Sequence, residues 1–161
     1  LYTVFTVDAI SLTKLQQANM KAVLGSLTTG FWGPGLKNPQ NARVVEGFLK
    51  KYGRYPSFYA AQSYDSIFLI NSAVEAVGGK LQDRDGMRAV MEKANFPSVR
   101  GSFSYGANHF PIQNFYLLEV VDDGNGNWTT EIRSTVFENH QDTYVADCRL
   151  KRAKASVCCF E

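Results

Sequence analysis

An α/β fold, with helices packed on a sheet and an antiparallel hairpin added late, is what this chain of 161 residues predicts. Three features carry that expectation. Strand-like and helix-like segments alternate early in the chain, an order that suggests a parallel sheet. A turn sequence, Asp122-Asp123-Gly124-Asn125-Gly126-Asn127, separates two alternating runs near the end, as a hairpin does. Between them, residues 58–76 form a helical run that is apolar on nearly every side, which suits a helix sandwiched inside a larger body.

Taken in order, residues 1–7 alternate and are β-branched, so they read as a strand. Asp8-Ala9-Ile10-Ser11 turns the chain into a helix over 12–24, with Leu12, Leu15, Met20, Val23 and Leu24 inward and Gly25 ending it. Residues 26–32 form a second strand, followed by a Gly33-Pro34-Gly35 loop. Asn38-Pro39 is an N-cap followed by an N1 proline, opening a helix with Val45, Phe48, Leu49 and Tyr52 inward that stops at Gly53. Pro56 fixes its own φ and leaves Tyr55 extended, and Ser57 caps the long helix, which runs to Gly78-Gly79. Asp83 caps a further helix with Met87, Val90, Met91 and Ala94 inside, which stops before Phe96-Pro97. Residues 103–105 are a short strand, and 113–121 and 128–137 are the two arms of the hairpin.

Composition limits the function more than it names it. Hydrophobic residues make up 45% of the chain, enough for a normal core in one domain. The net charge is +2, and the surplus sits in the last residues, where Arg149, Lys151, Arg152 and Lys154 face Glu161. The body is therefore close to neutral, and no basic face argues for nucleic acid. No apolar run is long enough to cross a membrane, and no signal-peptide pattern is present. The chain opens at Leu1 directly on a strand-like run and reads as a piece of something longer. Its cysteines, Cys148, Cys158 and Cys159, offer no metal-ligand spacing with the two histidines. Cys148 is either a partner for a cysteine elsewhere or a free thiol.

Motifs of catalysis are missing. In the 122–127 turn, Trp128 occupies the place of the glycine a calcium loop requires, and Ser134 stands where a bidentate glutamate belongs. The glycines at 30, 33 and 35 do not follow the dinucleotide fingerprint, and there is no P-loop lysine and no nucleophile elbow. His109 and His140 fall in loop-like sequence without a neighbouring nucleophile or orienting acid, so each reads as a solvated histidine. The sequence thus predicts no enzyme, no catalytic residue, no metal and no cofactor.

Two positions suit binding instead. Asp8 stands past a strand end and before a helix, the edge of an open α/β sheet at which ligands bind. Its carboxylate could receive a ligand ammonium, or it could simply cap the helix. Tyr59 enters the long helix beside a loop, where its ring could stack on a ligand, or could be a core aromatic.

Four runs in succession carry a family resemblance: YTVFTVDAISLTKLQQAN, then GSLTTGFWGPGLKNPQNARVVEGFLKKYGRYPSFYAAQSYD, then KANFPSVRGSFSYGANHFPIQNFYLLEVV and HQDTYVADC. Together they resemble the C-terminal half of a type I periplasmic solute-binding protein of the leucine/isoleucine/valine-binding group, which serves ABC importers. The resemblance covers residues 1 to about 150. It implies an incomplete periplasmic-binding-protein-like fold, with parts of two lobes, strands crossing at a hinge and a late antiparallel hairpin. Residues 1–32 would belong to the second lobe, and 33–111 would supply the hinge crossings and helices of the first. Residues 112–150 would return to the second lobe, and 151–161 would be a tail outside the family. It further implies a small-molecule ligand, a branched-chain or other amino acid, held without chemical change, with a membrane permease as partner and a periplasmic location. Asp8 would meet the ligand's amino group with Ala9 beside it, and Tyr59 would wall the pocket. The alternatives are a binding protein for aromatic acids, or the ligand-binding part of a sensor or receptor.

Overall fold

The computed structural model of the chain describes residues 7–101 and 104–149. The strand expected over residues 1–7, apart from Val7, lies outside those residues, as do Phe103, Cys158 and Cys159. The described order is α1 (Ala9–Gln17), β1 (Leu27–Gly30), α2 (Pro39–Tyr52), α3 (Phe58–Ala76), α4 (Arg84–Lys93), β2 (Ser104–Tyr105), β3 (Pro111–Asp122) and β4 (Trp128–His140). Short 3₁₀ turns occupy Lys21–Val23 and Val145–Asp147.

Polar caps set the helix starts. Asn38 accepts from the Gln40 amide at 2.9 Å, with Pro39 at the first helical position, and Gly53 at φ 65° closes α2. Ser57 accepts from the Ala60 amide at 3.3 Å, and Asp83 from that of Gly86 at 3.0 Å. Helix α1 departs from the pattern reading, which placed it over 12–24. It begins earlier because Asp8 and Ser11 form a reciprocal capping box, and it ends at Gln17 because Asn19 turns left-handed at φ 53°. Met20, expected inward, is consequently exposed.

Every strand pairing among the described residues is antiparallel. β3 is central, with β1 and β4 on its two sides and β2 paired to its first residues. The parallel pairing suggested by early alternation is not among them, because β1 finds its partner far along the chain: Leu27 lies opposite Glu119 and Gly30 opposite Tyr116. β1 is also shorter than the strand expected over 26–32. Trp32 leaves the sheet and is buried, its indole Nε1 donating to Asn41 Oδ1 at 2.8 Å. The 122–127 turn joins β3 to β4 as expected, with Asp122 opposite Trp128.

Apolar side chains gather in two clusters. One holds Trp32, Val45, Ala61 and Val99, between α2, α3 and the segment after α4. The other holds Leu12, Val120 and Trp128, where α1 packs on the hairpin. The first is braced by a buried carboxylate. Asp65 of α3 accepts from Arg100 Nε at 2.8 Å, the Ser98 hydroxyl at 2.7 Å and the Val99 amide at 2.9 Å. Arg100 reaches on to Gln113 Oε1 of β3 at 3.0 Å, so the network ties a helix to the sheet.

Helix α3 was expected to be covered on two faces, but here only Ala61, Asp65 and Ala73 are buried. Tyr59, Ile67 and Ile70 each remain at least half exposed. Among the described residues no helix is long and apolar enough to cross a membrane, and no group of histidine, cysteine and acidic residues could hold a metal. Among the described residues Cys148 is a free thiol, partly buried.

Candidate functional site

A cleft of about 240 Å³ draws its walls from both apolar clusters. Asp8, Ala9 and Leu12 of α1, with Thr129 and Thr130 of β4, form one wall. Phe31 and Trp32, just past the end of β1, and Tyr55, Pro56 and Phe58, at the start of α3, form the other. Phe115 and Leu118 of β3 contribute from the sheet.

Asp8 is the one charged side chain among the described residues that line this cleft. Its Oδ1 accepts from the Ile10 and Ser11 amides, both at 3.1 Å, and from the Ser11 hydroxyl at 3.2 Å. No described residue bonds to Oδ2. The carboxylate is therefore oriented by its cap on one side while its second oxygen keeps lone pairs available. The two readings of Asp8 left open by the sequence are compatible, since capping engages one oxygen.

The aromatic wall is held by ring contacts. Phe31 meets Phe58 edge to face, with centroids 6.0 Å apart, and the Arg100 guanidinium sits 5.9 Å over the Phe31 ring. The guanidinium that satisfies Asp65 thus also backs a cleft residue. Thr129 adds a polar group: its Oγ1 is buried with no hydrogen-bond partner among the described residues.

Tyr55 joins the walls. Its hydroxyl donates to Asp123 Oδ2 at 3.2 Å, across to the β3–β4 turn. Burial, then the Asp123 charge and the hydrogen bond to it, push the phenol above its ordinary range. Slight burial acts to raise the Asp123 carboxyl, but amide bonds from Asn127 and Asn125 and the Tyr55 hydroxyl outweigh it and hold the group below its ordinary value.

The structure brings Asp8 and Ala9 to the cleft together, but Tyr59 is not among its lining residues. Tyr59 is 60% exposed and its ring leans on that of its neighbour Phe58, with centroids 4.0 Å apart and planes tilted by 35°. The aromatic residues that do line the cleft were missed by the sequence reading, although Tyr55-Pro56-Ser57 marked the right turn and Phe31-Trp32 followed a strand end. The histidines lie elsewhere. His109 sits 3.4 Å from Glu92, and His140 packs against Phe115 and Phe137.

Residues 2–125 match a family model described as periplasmic binding protein. Leu/Ile/Val-binding protein homolog 6 of Brucella abortus (strain 2308) is 32% identical over 122 residues, which is 74% of this chain and 31% of that protein. The homolog 6 protein of Brucella suis biovar 1 matches to the same extent. The chain thus spans under a third of the length of these curated relatives. Among solved structures, a benzoate complex of an R. palustris ABC transporter solute-binding protein superposes with a TM-score of 0.74 at 30% identity, over 89% of this chain and 37% of that one. A p-hydroxybenzoic acid complex from Rhodopseudomonas palustris HaA2 gives 0.69 at 26% identity, over 88% and 38%. A leucine binding protein from Thermotoga maritima gives 0.59 at 26%, over 76% and 33%.

Proposed function

The chain belongs to the periplasmic binding protein family, and on that premise we propose that it is the C-terminal part of the substrate-binding component of an ABC importer. The ligand is an amino acid with an apolar side chain, of the branched-chain kind, held between two lobes and released unchanged to a membrane permease. The protein works in the periplasm and catalyses nothing.

The observation that carries this reading is a single carboxylate, Asp8, in a cleft walled otherwise by aromatic, aliphatic and hydroxyl groups. An ammonium group is the natural partner of its Oδ2, and the ring-lined wall suits an apolar side chain. Ala9 lets the ligand approach the start of α1, and the unpaired Thr129 hydroxyl offers a second polar contact. Residues 1–32 and 112–150 would make up the lobe bearing Asp8, with Phe31 and Trp32 at the crossing into 33–111, which would supply the hinge crossings and helices of the other. Tyr59, next in sequence to the cleft-lining Phe58, would meet the ligand only as the lobes close. A cleft of about 240 Å³ falls below the roughly 300–1,000 Å³ of ordinary small-molecule sites. That small volume fits a site completed by residues outside this chain, which would receive the ligand carboxylate.

A second reading, an aromatic acid as ligand, is favoured by the benzoate and p-hydroxybenzoic acid complexes of the similar structures. The aromatic wall suits such a ring, but an acid without nitrogen gains nothing from Asp8. A thermal-shift screen of the full-length protein separates the two. Amino acids are expected to raise its melting temperature in a concentration-dependent way. A shift with benzoates alone would favour the second reading, and no shift with either class would remove both.

A further inference from the structure

We propose that the Tyr55 hydroxyl and the Asp123 carboxylate form a latch across the cleft that slows ligand release. The proposal rests on the reading of the cleft as a ligand site. The bond joins residues 68 positions apart in sequence and belonging to opposite walls. Tyr55 follows α2 and packs against the cluster of Trp32, Val45, Ala61 and Val99. Asp123 sits in the β3–β4 turn, which is fixed to α1: Gln16 Nε2 donates to the Gly126 carbonyl at 2.9 Å, and Gln16 Oε1 accepts from the Trp128 amide at 3.2 Å. Since Asp8 caps the other end of α1, the turn moves with the wall that carries the charged group.

Both ends of the latch are set in advance. Asp123 Oδ1 is engaged inside its own turn by the Asn125 amide at 2.8 Å and the Asn127 amide at 2.9 Å, which leaves Oδ2 for Tyr55. Gly124 and Gly126, at φ 72° and 93°, let the turn adopt that shape. Tyr55 is confined by the buried Pro56 that follows it, and Arg54 Nη1 donates to its carbonyl at 3.3 Å. With little reorganisation left at either end, whether the bond forms depends on the spacing of the walls. Parting them breaks it, and closing them restores it. Because the bond is partly exposed to water, it tunes release instead of locking the cleft.

Tyr55→Phe removes the hydroxyl and keeps the ring, so the fold and the cleft wall are preserved. Stopped-flow measurement on the full-length protein, with L-leucine and benzoate as probes, is expected to show dissociation about three- to tenfold faster, with association within about twofold. A role confined to stability would lower the melting temperature and leave both rates alone. That result, or an unchanged dissociation rate, overturns the latch. If neither probe binds the unsubstituted protein, the proposed ligand class falls, and the latch is judged by small-angle scattering without ligand. There Tyr55→Phe is expected to lengthen the distribution of interatomic distances, and superimposable curves overturn the proposal.

Discussion

Asp8 caps α1 through Oδ1, which leaves Oδ2 for the recognition role proposed for it, because a carboxylate has two oxygens and an Asp N-cap needs only one. Asp8→Ala should therefore lower stability by about 1 kcal/mol, the usual cost of a lost cap, whereas Asp8→Asn should keep most of it. Chemical denaturation of both variants checks this, and equal losses would mean the cap is not made through Oδ1. Asp65 is a different case, a charge with 2% of its side chain exposed whose oxygens accept from Arg100, Ser98 and Val99. Arg100→Met leaves that charge without its counterion and should cost about 3–5 kcal/mol in the same assay. The Tyr55–Asp123 pair predicts a pH signature at both extremes. Asp123 has its carboxyl lowered on folding, so its stabilisation is present above the ordinary carboxylate range and is lost as acid protonates it. Tyr55 has its phenol raised, so its stabilisation is present below the ordinary phenol range and is lost as alkali ionises it. Tyr55→Phe should flatten the alkaline limb of the stability–pH curve, and an unaltered limb would contradict the assigned bond. At this scale the sequence offered Asp8 as a helix cap and marked the Tyr55-Pro56 turn, but not Asp65 as a hub. Nothing local in QSYDSIF announces a partner 35 residues away.

Three helix starts, though not that of α1, were legible because capping is local: Asn38-Pro39, Ser57 and Asp83 each stand beside the amides they satisfy. Helix ends and strand partners were less so. Residues 12–24 keep a helical spacing of apolar groups, yet the left-handed turn at Asn19 breaks the helix, and no glycine or proline advertises that break. β1 carries no mark of its antiparallel partner, because pairing is decided by packing across the sheet and not by the strand's own pattern. Helix α3 poses the clearest question for an element. Its Ile67 and Ile70 sit at least half exposed, a large apolar area for one helix. In the full-length protein proposed above, the remainder of the first lobe is expected to cover this face. Ile67→Asp should then cost about 2–3 kcal/mol there, against at most about 0.5 kcal/mol for a surface position. Denaturant titration of the full-length protein checks this, and a surface-like value would leave α3 bare.

Two apolar clusters with a cleft between them are what the whole molecule adds to its parts. The order of elements suggested an α/β body, and the four quoted sequence runs pointed to the family that the comparisons show. Neither revealed how the cleft is lined. Phe31, Tyr55, Phe58, Phe115 and Thr129 come from separate segments that meet only once both clusters have formed. Asp8 stood out in sequence because it falls between a strand-like run and a helix, the edge of an α/β sheet at which ligands bind. The ring residues did not, because aromatic side chains are ordinary core material. The central claim is that Asp8 marks the end of the cleft that receives an ammonium group. Titration calorimetry of the full-length protein, with and without Asp8→Asn, tests it most directly, because that change keeps the cap and removes the charge. Affinity for an L-amino acid should fall about 10- to 100-fold, while affinity for a ligand lacking nitrogen holds or rises. Undiminished amino-acid affinity in Asp8→Asn would contradict the account.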